Sequence, residues 1–183
     1  MNRATIWSVA MAAGALAATP SFAATYYLRA GSTTVSMPGY PTPIGMWGYG
    51  LNGASCPAAS CPITIPGPAL TVPPGDTSLT IILTNNLPVA TSLVIPGLTT
   101  SFSPVRSADP QGRLRIRAFT TQAAATNGTA TYTWTGVKPG TYLYHSGSFP
   151  ALQVQMGLYG IIRQDFAANT AYPGVTYTKE VTL

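Results

Sequence analysis

His145 is the only histidine in the 183-residue chain, and Cys56 and Cys61 are its only cysteines. Together with four acidic residues, these are the side chains from which acid–base, nucleophilic or metal chemistry would have to be built. A Ser-His-Asp arrangement can be drawn from His145 with Asp76 or Asp109, but no nucleophile-elbow sequence supports it. The acids are not paired in sequence, so they supply no evident acid/base couple. A lone histidine is more often a hydrogen-bonded loop or core residue than a ligand. One imidazole does not hold a metal ion tightly, and the Met156 thioether would be a weak helper. The two cysteines, with four residues between them, fit either a disulfide or half of a metal site. Within thirty residues of them only Asp76 could add a ligand, which favours a disulfide that closes a small loop.

The elements that must position these residues read as strands. Charged residues make up 7% of the chain, while Thr, Val, Tyr, Gly and Pro recur, a composition of strands joined by sharp turns. Thr25–Ala30, Thr33–Met37, Gly45–Tyr49, Ala69–Val72, Ser78–Thr84 and Thr91–Ile95 are strand-like, with turns expected at Gly31-Ser32 and Pro73-Pro74-Gly75-Asp76. Arg113–Thr120, Ala130–Trp134, Thr141–His145 and Leu158–Arg163 continue the pattern, and Val175–Leu183 is either a last strand or an extension. Gln153–Leu158 is expected to make at most one helical turn. Strands at this spacing predict an all-β Greek-key sandwich. Tyr132, Trp134, Tyr142, Tyr144 and Tyr159 alternate along strands, which suits core filling better than electron hopping or sugar stacking. Asn127-Gly128-Thr129 fits a glycosylation sequon, but a turn is its simpler meaning.

The N-terminus has the plan of a secretory signal peptide: Arg3, an uncharged apolar stretch from Ile6 to Ala18, and small residues at Ser21 and Ala23. Residues 1–23 are therefore expected to be removed, leaving a single domain from 24 to 183 without a stable membrane span. Loss of Arg3 leaves eight basic against four acidic residues. Three of the basic residues alternate at Arg113, Arg115 and Arg117, with Arg106 nearby, as on a strand with one basic face. For an exported chain that face suits solvent or an acidic neighbour, and nucleic acid is not expected as a partner.

Gly67-Pro68-Ala69-Leu70-Thr71-Val72, Gly75-Asp76, Thr84-Asn85-Asn86-Leu87 and Thr91-Ser92-Leu93 resemble the start of the first domain of multicopper oxidases. Pro139-Gly140-Thr141-Tyr142-Leu143-Tyr144-His145-Ser146 and Gln155-Met156-Gly157-Leu158-Tyr159-Gly160-Ile161-Ile162 resemble two later segments of that domain. The match runs in order from Gly67 to Arg163. It implies a cupredoxin-like (plastocyanin-like) sandwich in which two His-x-His pairs contribute half of a trinuclear copper cluster shared with another domain.

This sequence departs from that pattern at three of the four ligand positions. Val94 and Pro96 stand where the first pair would be, and Gly147 replaces the second histidine after His145. The mononuclear copper site of the family needs a cysteine with histidines, and Cys56 and Cys61 have none nearby. The resemblance therefore implies copper and oxidoreductase function only as part of a larger protein, with further cupredoxin domains or subunits as partners. The alternative is a copper-free structural or protein-binding module. The end of the chain, Tyr177–Leu183, resembles the strand leading into a second cupredoxin domain. A periplasmic or secreted location follows from the signal peptide.

Overall fold

The computed structural model of the chain describes residues 23–57, 60–100 and 102–182. The expected signal peptide lies outside the described residues except for Ala23, which begins the first strand. Strands β1 (Ala23–Val35), β2 (Ile44–Leu51), β4 (Ser78–Asn85) and β7 (Gly128–Thr135) form one sheet in the order β2-β1-β4-β7. Strands β3 (Leu70–Val72), β8 (Gly140–His145) and β9 (Tyr159–Gln164) form a second, ordered β3-β9-β8. The pairs β1–β4 and β3–β9 are parallel and the other pairs in these sheets antiparallel, so the chain crosses between sheets. The fold is the all-β, cupredoxin-like sandwich that the strand spacing and the resemblance implied.

Period-two burial explains why these segments are strands. In β4, Leu79, Ile81, Leu83 and Asn85 point inward while the residues between them are half-exposed; β7 buries Ala130, Tyr132 and Trp134 in the same way. The apolar ones among them meet Leu70, Val72, Tyr144 and Ile162 of the second sheet in one cluster. Each fully buried aliphatic side chain of this kind contributes roughly 1.5–3 kcal/mol relative to exposure.

Four sequence expectations change. The turn expected at Gly31-Ser32 is absent, and β1 runs straight through it, with Gly31 opposite Gly48 and Ser32 opposite Trp47. Gly31 lacks a side chain because Ile63 lies where a Cβ would have its neighbours at 3.2 Å. Likewise a Cβ on Gly48 or Gly50 would run into the carbonyl oxygens of Thr64 and Pro62. The segment after the Cys56–Cys61 disulfide thus lies directly across β2, tied by the Thr64 N–H to the Tyr49 carbonyl at 3.0 Å.

Thr91–Ile95, expected as a strand, joins no ladder and makes single bridges instead, because its two ends pair with different segments. The alternating arginines lie on a hairpin of β5 (Val105–Ala108) and β6 (Leu114–Ala118) that belongs to neither main sheet. Both of its faces are open: Leu114 and Ile116 are as exposed as the arginines between them. At its tip Asp109 accepts bonds from the Arg113 and Arg115 side chains at 2.8 and 3.1 Å. Among the described residues beyond β9, β10 (Thr170–Tyr172) and β11 (Val175–Thr176) are the strands, and the following residues fold back so that the Tyr177 hydroxyl meets Asp165 at 2.5 Å. Helix α1 (Pro150–Gln153) is a single turn, starting earlier than the sequence suggested.

Candidate functional site

Three segments converge at one end of the second sheet. Val94 and His145 exchange backbone bonds of 2.9 and 3.0 Å, and Thr91 pairs with Ala123 through bonds of 3.1 and 2.8 Å. Phe119 donates its N–H to the Gly147 carbonyl at 2.9 Å, beside a bridge between Ala118 and Ser148. The strands β4, β6 and β8 thus deliver residues 91–96, 118–123 and 145–148 to one place.

Behind this junction lies a closed polar network. The Gln153 side-chain carbonyl accepts from the Thr91 hydroxyl at 2.6 Å and the Ser146 hydroxyl at 2.5 Å, while its amide donates to the Ala90 carbonyl at 2.9 Å. Gln122 donates to the Ser148 hydroxyl at 2.7 Å, and Ser148 donates to Ser92 at 3.0 Å. Thr91, Ser92, Ser146, Ser148 and Gln153 are all buried. Buried hydroxyls and amides need partners, and here each supplies the other's. Gln153 reaches this network from α1, which starts immediately after Phe149, whose left-handed backbone (φ 41°) turns the chain into the helix.

The next layer is tyrosine. Strand alternation sends Tyr144 into the core and His145 to the opposite face. The Tyr144 hydroxyl donates to the Pro68 carbonyl at 2.8 Å, and Tyr49 donates to the Ser92 carbonyl at 3.2 Å. Burial pushes both phenols well above their ordinary pKa, so they serve as neutral donors.

On the front of the junction is a cleft of about 260 Å³ walled by Val94, Pro96, Leu98, Phe119 and Trp134, with Thr120 and His145 among its lining residues. The structure therefore brings Val94, Pro96 and His145 to one surface. Gly147 sits directly beside them: a Cβ there would stand 2.8 Å from Val94 Cγ1 and 3.0 Å from Ser92 Oγ. His145 is half-buried, and its Nδ1 lies 2.8 Å from the Ser146 carbonyl oxygen. A carbonyl only accepts, so Nδ1 carries a proton, and in the neutral ring Nε2 keeps a free lone pair.

Copper, which the resemblance implies, needs several nitrogen or sulfur donors converging on one point. At this junction Val94, Pro96 and Gly147 offer no side-chain donor, leaving the His145 Nε2. Met156 is not among the cleft's lining residues, and its carbonyl accepts the Trp47 N–H at 2.9 Å. Among the described residues no group of three or more His, Cys, Asp or Glu side chains could hold a metal ion. The residues present do not make a copper site by themselves. Nor do the triad candidates come together: Asp109 is engaged at the hairpin tip by Arg113 and Arg115, Asp76 lines a different cleft beside Gln164 and Phe166, and His145 bonds the Ser146 backbone. The cysteines are joined as expected, Cα–Cα 5.8 Å, away from the junction.

Sequence reasoning missed Thr120 and Gln153. Thr120 is buried, and its hydroxyl has no hydrogen-bond partner. Nothing in the strand pattern from Arg113 onward separates it from its neighbours, although its period-two step from Ala118 marks it as inward-facing. Gln153 carried no motif signal at all.

No curated protein matches the chain in sequence. Among solved structures it is similar to a multi-copper oxidase from Pseudomonas thermotolerans, with TM-score 0.56 and 21% identity over 79% of this chain and 30% of that one. It is also similar to the copper nitrite reductase from Nitrosomonas europaea, with TM-score 0.54 and 22% identity over 79% of this chain and 42% of that one. A laccase variant from B. aclada gives TM-score 0.52 and 26% identity over 85% of this chain and 25% of that one. The chain thus spans less than half the length of each of these proteins. The sequence profile of the multicopper oxidases matches residues 52–165, from the disulfide loop to the end of β9, which includes every segment of the junction. On that match, over more than half its length, the chain belongs to the multicopper oxidase family.

Proposed function

We propose that this chain is an exported cupredoxin domain that acts as part of a larger multicopper-oxidase-like protein. In this reading copper binding and oxidoreductase activity belong to the assembly, in the periplasm or outside the cell. Further cupredoxin domains or subunits supply the donors that positions 94, 96 and 147 lack, and this chain supplies scaffold, interface and His145. The observation that carries the reading is the family match over residues 52–165, in a chain covering 25–42% of the structures named above. Among the described residues no helix is long and apolar enough to cross a membrane.

The test is the copper content of the full gene product expressed with its own leader, set beside that of the chain of 183 residues alone. The longer product is expected to retain copper and the chain alone to lose it on desalting. Stoichiometric copper in the chain alone would sink the division of labour.

A second reading, a copper-free binding or structural module, is favoured by one feature. Val94 fills the space into which a side chain at 147 would project, so the junction is packed around the missing donor. A gene product that ends at Leu183 and stays metal-free and monomeric would select this reading.

A further inference from the structure

The hairpin of β5 and β6 stands outside both main sheets. The two strands pair only with each other, and every residue in them except Ala118 is exposed. A two-stranded ribbon by itself is marginally stable in water, and an open strand edge is a template for a further strand. The outer edge of β6 is partly taken: the Arg117 carbonyl accepts the Phe149 N–H at 3.4 Å, and Ala118 is bridged to Ser148. Among the described residues no segment pairs with the outer edge of β5.

Two arginines flank that edge. Arg106 belongs to β5 and shares a face with Ile116, its partner across the ribbon. Arg117 has no partner in the ladder, because the register shifts there, and its Nε reaches over to β5 and donates to Ser107 Oγ at 2.9 Å. Strand alternation puts Ser107 on the face opposite Arg106. Among the described residues neither arginine has a carboxylate partner. Asp109 pairs with Arg113 and Arg115, Asp165 and Glu180 pair with Arg163, and Asp76 is buried. Those four are all the acidic side chains of the chain. A second copy therefore brings no uncommitted acid, and its own arginines would repel this edge.

We propose that the outer edge of β5 is a docking site for an extended, acidic segment of a partner protein, which adds a third strand to the hairpin. Two adjacent acidic residues of that segment point to opposite faces, one toward Arg106 and the other toward Arg117. Charge complementarity sets the sign of the partner, and the open edge sets its class. Backbone N–H and C=O groups are matched by another strand, whereas a lipid surface answers only the cations. The inference goes beyond the copper reading and applies to either function considered above.

The experiment titrates the full chain, nitrogen-labelled and expressed with its own leader, with the peptide acetyl-Thr-Val-Glu-Glu-Val-Thr-amide. Its controls are the same peptide with Gln-Gln at the centre, a version N-methylated along its backbone, and phosphatidylglycerol vesicles. The readout is the backbone amide signals of Val105–Ala108, with their hydrogen exchange. The Glu-Glu peptide is expected to shift these signals saturably and to slow their exchange. Arg106→Gln and Arg117→Gln should each weaken binding about threefold. Lys138→Gln removes the same charge from an exposed site on the sandwich and should leave binding unchanged. Unaltered signals from β4 and β7 check that each variant is folded. No saturable shift at β5, equal binding of either control peptide, or an equal loss with Lys138→Gln would overturn the proposal. A response to the vesicles and not to the peptide would overturn it in favour of a membrane surface.

Discussion

The two sides of the junction between residues 91–96 and 145–148 have opposite character. On the buried side, Thr91, Ser92, Ser146, Ser148 and Gln153 form a polar network in which hydroxyl and amide meet partner after partner. On the open side, the same two stretches present Val94, Pro96 and Gly147, with no donor among them, and His145. The difference teaches that the device holding the two segments together is independent of any metal in front of them. Backbone pairing of Val94 with His145 and the Gln153 clamp fix the geometry from behind. The front surface is therefore free to change its chemistry while the fold persists, since fold alone does not set function.

Raising the pH should give the largest effect on the buried side. Burial raises the pKa of Tyr49, Tyr132 and Tyr144 above the ordinary value of 10.0, with mutual repulsion between Tyr49 and its neighbours as a second cause. A folded-state pKa above the unfolded one means that their contribution is fully present below about pH 10 and is lost as pH climbs toward the folded values. Ultraviolet absorbance should show the exposed tyrosines ionising first. These three should ionise only as near-ultraviolet circular dichroism collapses. Ionisation of all tyrosines in one step with the fold intact would break the picture of a sealed interior.

Next in size is Gln153→Ala. It removes the acceptor shared by the Thr91 and Ser146 hydroxyls, leaving them each other at 3.3 Å and Ser146 the Ser148 backbone, frees the Ala90 carbonyl, and should lower stability by about 2–3 kcal/mol in chemical denaturation. A loss below about 1 kcal/mol would mean that the network is ornamental and that backbone pairing suffices.

The smallest expected effect probes the seam between the two sides. Gly147→Ala places a methyl 2.8 Å from Val94 Cγ1, on a β-branched side chain that turns with difficulty. It should cost about 1–2 kcal/mol, as mild overpacking does. Val94→Ala in the same chain should recover most of that loss, a coupling that a double-mutant cycle measures. Additive losses would separate positions 94 and 147, and with them the idea that one residue closes the space the other would use.

Much of this was legible in the residues. Alternation in Ser78–Thr84 and Ala130–Trp134 marked both strands to within a residue or two, because one face of each is buried and the other is not. The turn expected at Gly31-Ser32 failed because a glycine that makes room for Ile63 looks the same in sequence as a glycine that bends the chain. The stretch Thr91–Ile95 looked like a strand because its apolar content suits one, yet its partners, Ala123 and His145, lie on different segments. The alternating arginines suggested one basic face, and the hairpin that carries them leaves both faces open.

The sequence by itself determined the sandwich, the family, the disulfide and the fact that the chain holds a single histidine. These depend on local periodicity, on ordered motifs and on counting, none of which needs coordinates. Tertiary structure alone decided that Gln153 clamps Thr91 to Ser146 across more than fifty residues of chain, and that Val94 fills the space beside Gly147. It alone left the Thr120 hydroxyl buried without a partner. Hydrogen-bond satisfaction and steric fit are properties of what surrounds an atom, and those surroundings come from segments far apart in the chain.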